Sequence, residues 1–319
     1  MIADHTGNDQ NGFGVSKGAS LLGSLSKKGL SILPESAPSK IYNAARNIPI
    51  ARDILGAIVR HMVPEKIESV GGTMYLDNTD MAVSGALALG KFELFETEVF
   101  SKAIGPGMNI VDIGAHIGYY TLIAAKRSGP TGKVFAFEPE PRNFSLLSKN
   151  VSANKNDTVT VINTALSDSS GTRDLFLEKY NKGHHSFATN DHATETIKVK
   201  TLTLDEALKQ FGSPKIDVLK IDIEGAEPIV LRGMKETIAR SPNIIIFTEV
   251  YPRSMAKLGE SALTYLVDLS SLGFSLSHMD EKTSSLVPIV DISSFVKSFP
   301  RGESFRNIYG TKNSQTGHI

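Results

Sequence analysis

The sequence contains no cysteine and no long apolar run. The missing cysteine excludes disulfides, thiolate zinc sites and a cysteine nucleophile, and it is compatible with a reducing compartment. No apolar stretch approaches the ~20 residues that cross a bilayer. The polar, glycine-rich N-terminus also lacks the basic-then-apolar pattern of a secretory signal. We therefore expect a cytoplasmic protein without stable membrane insertion.

An excess of charge of either sign is absent as well. The chain of 319 residues has 34 Lys and Arg and 34 Asp and Glu, which gives a formal net charge of zero. A general nucleic-acid binder normally carries a basic excess, so we expect no nucleic-acid partner. The length is sufficient for a complete α/β core with additional segments.

The chain divides into an N-terminal part and one compact domain. Residues 1–40 are rich in Gly, Ser and Lys without lasting periodicity, which predicts a flexible tail. Residues 41–68 are predicted to be a helical segment. Residues 69–312 form the expected compact domain, and residues 313–319 a C-terminal tail.

The predicted N-terminal helix has one apolar face. Apolar side chains recur there at a four-residue step, at Ile50, Ile54, Ile58 and Met62. We expect this face to pack on the compact domain or on a second subunit. In the second case the protein would be a homodimer. Transient contact with a membrane surface is the alternative, supported by the basic residues of the segment.

A glycine turn lies at the start of the compact domain. A short apolar strand ends at Asp112, and the chain then turns through Gly114 and Gly118 into a helix; a second strand ends at Glu138, twenty residues after Gly118. This is the pattern of a mononucleotide-binding βαβ unit, in which the terminal acid binds ribose hydroxyls. A carboxylate at Asp112 would repel a pyrophosphate but suits a cationic ammonium. We therefore expect an adenosine with an amino-acid tail, which is S-adenosylmethionine.

Strands and helices alternate through the rest of the domain, with one continuous helix predicted over Ala226–Arg240. This alternation predicts an α/β fold with a mostly parallel sheet and helices on both faces. Ligands of such sheets bind at the carboxyl ends of the strands. Polar side chains fall at or near five of these ends: Asp112, Glu138, Asn163, Asp222 and Glu249.

Several motifs, taken in order, resemble the FkbM family of S-adenosylmethionine-dependent methyltransferases. The motifs are Asp112-Ile-Gly-Ala-His-Ile-Gly, Phe137-Glu-Pro-Glu-Pro, Ala165-Leu-Ser-Asp, Thr203-Leu-Asp and Asp222-Ile-Glu-Gly-Ala-Glu, preceded by Leu89-Gly-Lys-Phe-Glu-Leu-Phe-Glu. The resemblance covers about residues 70 to 255. It implies a Rossmann-like sheet of seven strands with one antiparallel strand near its edge. It also implies methyl transfer, commonly to a hydroxyl of a sugar or a polyketide-like natural product.

The resemblance also implies the cofactor contacts. The adenine edge would lie against the segment from Ala165 to Asp168, through backbone groups and the Asp168 side chain. His116 stands where the family more often has asparagine; the turn itself is retained, and we expect His116 to belong to the cofactor-binding residues without a defined side-chain contact. The expected acceptor is a small molecule or a glycan.

Two side chains are candidates for the general base. An aliphatic hydroxyl must lose its proton as the new bond forms, and a positioned base assists that step. His185 lies in a polar insertion, Glu178 to Thr196, that we expect to fold over the site, and Asp222 ends a buried strand beside the expected methyl group. The sequence does not choose between them. A metal site built from His184, His185, Asp222 and Glu249 is a third, less favoured possibility, since neither number nor spacing demands it.

Other polar residues of these motifs are predicted to be structural. Thr203 and Glu206 fit a capping box, with Asp205 in the first turn of the same helix. Glu224 and Glu227 begin the helix after the fourth strand, where the helix dipole favours acids.

Two other function classes share this architecture. One is a nicotinamide-dependent oxidoreductase, against which Asp112 argues because of its negative charge. The other is a non-catalytic scaffold that keeps the nucleotide pocket, against which the intact set of Asp112, Gly114, Gly118 and Glu138 argues.

Overall fold

The computed structural model describes residues 63–80, 82–178, 185–189, 193–300 and 304–312. The tails predicted at 1–40 and 313–319, and the predicted helix up to residue 62, lie outside the described residues. The predicted C-terminal boundary of the helical segment, residue 68, is wrong. Lys66–Glu68 is a strand (β1) that pairs in antiparallel orientation with Thr73–Tyr75 (β2).

The remaining strands form one large sheet and one small sheet. In chain order they are Asn109–Ile113 (β3), Lys133–Phe137 (β4), Val159–Ile162 (β5), Ala165–Leu166 (β6), Gly171–Glu178 (β7), Ala193–Leu202 (β8), Val218–Ile221 (β9), Ile245–Val250 (β10), Phe274–Asp280 (β11), Ser285–Pro288 (β12) and Arg306–Lys312 (β13). The large sheet has the order β12-β11-β13-β10-β9-β3-β4-β5, and the small sheet has the order β6-β8-β7.

The large sheet confirms the predicted α/β class. Within this sheet β10, β9, β3, β4 and β5 pair in parallel orientation, whereas β13 runs antiparallel to both of its neighbours. The sheet contains eight strands, one more than the seven that the family resemblance implied. The additional strand is β12, which forms an antiparallel pair with β11 at the edge.

Helices cover both faces of this sheet, as predicted. Ile110 packs into one apolar core with residues of the helices before and after β4, whereas Val111 and Ile113 pack into a second core on the opposite face. This separation follows from the alternation of side chains along a strand. The helices are Val83–Ala88 (α1), Leu94–Ala103 (α2), Tyr119–Ser128 (α3), Pro141–Ala153 (α4), Leu204–Lys209 (α5), Glu227–Arg232 (α6), Lys235–Arg240 (α7), Pro252–Lys257 (α8), Ala262–Ser271 (α9) and Ile292–Lys297 (α10). No helix in the described ranges combines the length and the apolarity that a membrane span requires.

The single helix predicted over Ala226–Arg240 is wrong. The structure has two helices, α6 and α7, separated by Gly233 and Met234. A Cβ at Gly233 would lie 2.1 Å from the carbonyl oxygen of Ser167, and the Gly233 carbonyl accepts a hydrogen bond of 3.2 Å from the amide of Asp205. The helix is interrupted here because the backbone at Gly233 packs against the backbone of Ser167 and of Asp205.

The predicted insertion Glu178–Thr196 is shorter than expected. Its last residues, from Ala193, belong to β8, which pairs with β7 in a hairpin of the small sheet. Of the tip of this hairpin, only residues 185–189 are described. Ser186 makes an isolated antiparallel bridge with Phe176, which fixes the described part of the tip to β7.

Candidate active site

The glycine turn is hydrogen-bonded to the carboxyl end of β4. The amides of Gly114 and Ala115 both donate to the carbonyl of Phe137 at 3.0 Å, and the amide of His116 donates to Glu138 Oε2 at 2.8 Å. Gly114 and Gly118 have φ angles of +79° and +94°, which glycine adopts without the steric cost that other residues incur. The turn therefore holds its backbone against the predicted ribose-binding acid.

Glu138 is buried at this end of the sheet and satisfied by backbone donors. It is 5% exposed, and its second oxygen accepts a hydrogen bond of 2.9 Å from the amide of Glu140. Burial raises the pKa of Glu138 to about 8. The Asn163 amide group donates to the Glu138 carbonyl at 2.9 Å. The turn, Glu138 and Asn163 thus form one connected rim.

Asp112 lies inside the sheet rather than on its surface. It is 1% exposed, and its Oδ2 accepts a hydrogen bond of 2.5 Å from Thr121 Oγ1. Burial raises the pKa of Asp112, and the positive charge of Lys220 opposes that rise. The sheet register pairs Asp112 with Lys220 on the neighbouring strand. The predicted contact of Asp112 with the cofactor ammonium stays a prediction.

Lys220 is the buried cation of this rim, and the sequence motifs predicted no role for it. Its Nζ lies 2.8 Å from Asp222 Oδ2 and 4.4 Å from the ring centroid of Tyr120. Tyr120 in turn donates a hydrogen bond of 2.7 Å to Glu93. Neighbouring carboxylates, with Asp222 the nearest, raise the pKa of Lys220 despite its burial. The sequence signal for this role was a lysine inside the otherwise apolar strand β9, because a charge buried in such a strand needs a partner of opposite charge.

Three carboxylates meet beside Lys220. One oxygen each from Asp222, Glu224 and Glu249 lies within 4.8 Å of the others. Glu249 is 8% exposed, and its Oε2 has no hydrogen-bond partner among the described residues. Burial and the neighbouring negative charges raise the pKa values of Glu224 and Glu249. The prediction that Glu224 is only structural therefore missed its place in this cluster.

The described hairpin tip contacts the loop that carries Asp222 and Glu224. Ser186 Oγ donates a hydrogen bond of 2.9 Å to the Glu224 carbonyl. The adjacent His185 accepts a hydrogen bond of 3.2 Å at Nδ1 from the amide of Glu178. A neutral imidazole with Nδ1 as acceptor carries its proton on Nε2. His185 in this state can donate to an acceptor molecule through Nε2, but it does not take up a proton there.

The predicted contact of adenine with the segment from Ala165 to Asp168 stays a prediction. Ala165 is buried in β6. The Asp168 carboxylate forms ion pairs with Arg173 at 3.0 Å and with Arg232 at 3.5 Å. Partial burial raises the pKa of Asp168, but the positive charges of these arginines oppose that rise, and the net effect is a lowered pKa. Asp168 therefore connects the small sheet to α6, and its predicted adenine contact would have to be made in addition to these bonds.

The histidine-containing metal site considered for this rim is not assembled in the described residues. Asp222 and Glu249 do come together, but the third group that joins them is Glu224, and no potential metal-binding group in the described ranges contains a histidine. His184 lies outside the described residues.

We expect the ligand-free protein to lose stability as the pH rises from about 5 to about 8. Burial raises the pKa of Glu138 to about 8 and that of Glu227 to about 7. The folded state therefore binds more protons than the unfolded state between these pH values, and deprotonation lowers the free energy of unfolding by on the order of 1 kcal/mol per pH unit for each group. Urea unfolding at pH 5, 6, 7 and 8 measures this slope. Glu138→Gln should reduce it, and a stability that increases with pH would contradict the expectation.

Comparison with known proteins agrees with this geometry. The methyltransferase FkbM domain matches residues 112–276, just over half of the chain. Hexuronic acid methyltransferase AglP of Haloferax volcanii is 34% identical over 153 residues, which are 46% of this chain and 59% of that protein. The 2-O-methyltransferase NoeI of Sinorhizobium fredii is 26% identical over 187 residues, 54% of this chain and 74% of that protein.

The chain also aligns with a crystal structure of the methyltransferase FkbM from Methylobacillus flagellatus. The alignment covers 82% of this chain and 60% of that chain, with 13% identity and a TM-score of 0.39. The chain spans about three fifths of the length of its relative AglP (59%). The family match begins at Asp112, includes the whole glycine turn and Glu138, and extends to β11. The chain belongs to the FkbM family of methyltransferases.

Proposed function

We propose that this protein transfers a methyl group from S-adenosylmethionine to a hydroxyl of a sugar or natural-product acceptor. The observation that carries the proposal is the buried Glu138 carboxylate, which is bound to the glycine turn through the His116 amide at 2.8 Å. The family match and the names of two relatives, a hexuronic acid methyltransferase and a 2-O-methyltransferase, support the acceptor class.

The residues at the rim fit this cofactor. Each Glu138 oxygen accepts one backbone hydrogen bond and retains a second lone pair for a ribose hydroxyl. A side chain at Gly114 would fill the space against Asp222, since its Cβ would lie 1.9 Å from the Asp222 carbonyl oxygen. Buried acids, Asp112 among them, outnumber the one buried lysine of the described residues, Lys220, and this balance suits a cationic amino-acid tail.

When bound, S-adenosylmethionine supplies an electrophilic methyl group. The chain's own part is to align an acceptor oxygen, which can contribute on the order of 7–11 kcal/mol, and to receive its proton. Asp222 is 36% exposed in its side chain and lies at the end of β9, so it is accessible to an acceptor. We assign proton removal to Asp222 and positioning of the acceptor to His185, because Nδ1 of His185 already accepts the Glu178 amide.

The two rival function classes make different predictions at the same residues. A nicotinamide-dependent enzyme would place a pyrophosphate at the glycine turn, where the buried Asp112 carboxylate is unfavourable. A non-catalytic scaffold would not need the ion pair of Lys220 with the accessible Asp222. The cofactor that the protein binds distinguishes these classes directly.

We expect S-adenosylhomocysteine, but not NAD, to bind the wild-type protein. Asp112→Asn and Glu138→Gln should each weaken that binding about 10–150-fold, because each substitution removes charge-assisted hydrogen bonds worth roughly 1.5–3 kcal/mol. Titration calorimetry measures the affinities. The matched control is Asp174→Asn, which removes an exposed carboxylate paired with Lys198 on the hairpin and should leave the affinity unchanged.

A second readout tests the transfer itself. Cofactor labelled in its methyl group should transfer the label to hexuronic acids or to related glycans. Unchanged S-adenosylhomocysteine affinity in both Asp112→Asn and Glu138→Gln would refute the cofactor site. Preferential NAD binding would instead establish the oxidoreductase class.

A further inference from the structure

The carboxylates of Asp222, Glu224 and Glu249 have the dimensions of a cation site. One oxygen from each lies within 4.8 Å of the others. Oxygen ligands lie about 2.0–2.1 Å from Mg²⁺ and about 2.3–2.6 Å from Ca²⁺. Two ligands on opposite sides of such ions are therefore roughly 4 to 5 Å apart. The three oxygens are thus spaced as ligands of one hard divalent cation are, with at most a small side-chain adjustment.

An independent observation indicates that this cluster has a ligand. Glu249 is 8% exposed, and its Oε2 is buried without a hydrogen-bond partner among the described residues. Glu227, the first residue of α6, is 0% exposed, and its Oε2 also has no such partner. A buried carboxylate oxygen without a partner costs free energy. A cation bound between the acids would satisfy Glu249 directly and would stabilise the charge of Glu227 nearby.

The charge balance of the rim points the same way. Lys220 is the only buried Lys or Arg in the described ranges, whereas eight Asp and Glu side chains there are buried. Lys220 is already 2.8 Å from Asp222 Oδ2, which leaves the other Asp222 oxygen available. A bound cation would supply the positive charge that keeps Glu224 and Glu249 ionised despite their burial.

We infer that Asp222, Glu224 and Glu249 bind a hard divalent cation of the Mg²⁺ or Mn²⁺ class. The all-oxygen ligand set favours these ions over Zn²⁺, which usually has nitrogen or sulfur ligands. Three protein ligands leave coordination positions open. Resting on the proposed function, an acceptor hydroxyl would occupy one of them, where the positive charge makes its proton easier to remove. Asp222 then acts on the acceptor through the cation, and the proton that the hydroxyl releases as the new bond forms passes to solvent water.

Binding of Mn²⁺ to the chelator-treated full-length protein tests the site without any turnover. The electron paramagnetic resonance signal of free Mn²⁺ gives the affinity, and Mg²⁺ should compete. Glu249→Gln keeps the size of the side chain and should weaken Mn²⁺ binding at least about tenfold, as the loss of a ligand does. The matched control is Glu96→Gln. Glu96 is a buried acid that accepts a hydrogen bond from Asn307 outside the cluster, and its substitution should change the affinity less than threefold.

Three results would overturn the inference. They are a wild-type protein that does not bind Mn²⁺ at millimolar concentration, an equal loss in Glu249→Gln and Glu96→Gln, and stabilisation by methylammonium but not by Mn²⁺. The equal loss would indicate diffuse attraction, and the methylammonium result an organic cation site. Melting temperatures of both variants verify folding. S-adenosylhomocysteine binding is measured on the same samples, so a protein that binds the nucleoside but no Mn²⁺ refutes the cation site and leaves the proposed function intact.

Discussion

Gly114→Ala is expected to destabilise the folded protein by on the order of 3–5 kcal/mol and to abolish cofactor binding. The new Cβ would lie 1.9 Å from the Asp222 carbonyl oxygen. Because this oxygen belongs to the backbone, no change of side-chain rotamer relieves the clash. Relief requires the turn to move away from the end of β9, and this movement would break the 3.0 Å hydrogen bond from the Asp222 amide to the Ile113 carbonyl. Urea unfolding and calorimetric titration with S-adenosylhomocysteine measure the two effects.

Gly212→Ala separates this steric clash from backbone strain. Gly212 has a φ of +78°, almost the same as the +79° of Gly114, but a Cβ there would have no atom within 4 Å. Its substitution should cost only about 1–2 kcal/mol, the price of a left-handed backbone for an ordinary residue. Equal losses in the two variants would show that strain alone accounts for the effect and that the turn and β9 are not in tight contact.

The parallel part of the fold was predictable because its strands and helix starts are encoded locally. β3 and β4 are mostly apolar strands, with Asp112 near the end of β3 and Glu138 directly after β4. Pro141 begins α4, where the Asn143 amide donates an N-cap hydrogen bond of 2.7 Å to Glu140. The capping box of Thr203 and Glu206 is also confirmed. In each case the signal lies within a few residues of the element that it defines.

The wrong predictions concern contacts between distant segments. The helix after β9 is interrupted at Gly233 because Ser167 and Asp205 pack there, and neither residue is a sequence neighbour. The small sheet was missed because β7 and β8 depend on pairing with each other, and one face of β8 is exposed and polar. Such elements acquire their stability from partners that a local pattern does not contain.

The candidate site was predictable in its position but not in its electrostatics. Strand ends placed Asp112, Glu138 and Asp222 at one rim, and the structure agrees. The sequence did not reveal that Asp112 lies beside Lys220 across the sheet, a pairing set by the register of β3 and β9. It also did not reveal that Glu224 joins Glu249, because these residues come from loops and strands that meet only in the folded chain.

Asp222→Asn is expected to lower kcat by about 10²–10⁴-fold, whereas His185→Ala should mainly raise the KM for the acceptor. Asparagine keeps an oxygen that Lys220 Nζ can contact, as it does the aspartate at 2.8 Å, so the fold and the cofactor affinity should be retained. His185 accepts the Glu178 amide at Nδ1, so its proton is on Nε2 and we expect it to position the acceptor rather than to act as the base. Steady-state kinetics with labelled cofactor, over a range of acceptor concentrations, separates kcat from KM.

Asp217→Asn is the matched control, because Asp217 precedes the same strand at its opposite end. Its Oδ2 accepts a hydrogen bond of 2.8 Å from the Asn109 amide, far along β9 from the carboxyl-end rim, so its substitution should leave kcat unchanged. A kcat loss that is large in His185→Ala and small in Asp222→Asn would assign the role of general base to His185. The wild-type rate should then rise with pH as the imidazole becomes neutral.

Chelator treatment distinguishes the two ways in which Asp222 can act. If its carboxylate takes the proton directly, the chelated enzyme keeps its rate, and Glu249→Gln has little effect on kcat. If Asp222 acts through a cation held with Glu224 and Glu249, chelation removes the activity, Mg²⁺ or Mn²⁺ restores it, and Glu249→Gln loses kcat in parallel with Asp222→Asn. The unpartnered Oε2 of the buried Glu249 favours the second outcome, because a direct base at Asp222 gives that oxygen nothing to bind.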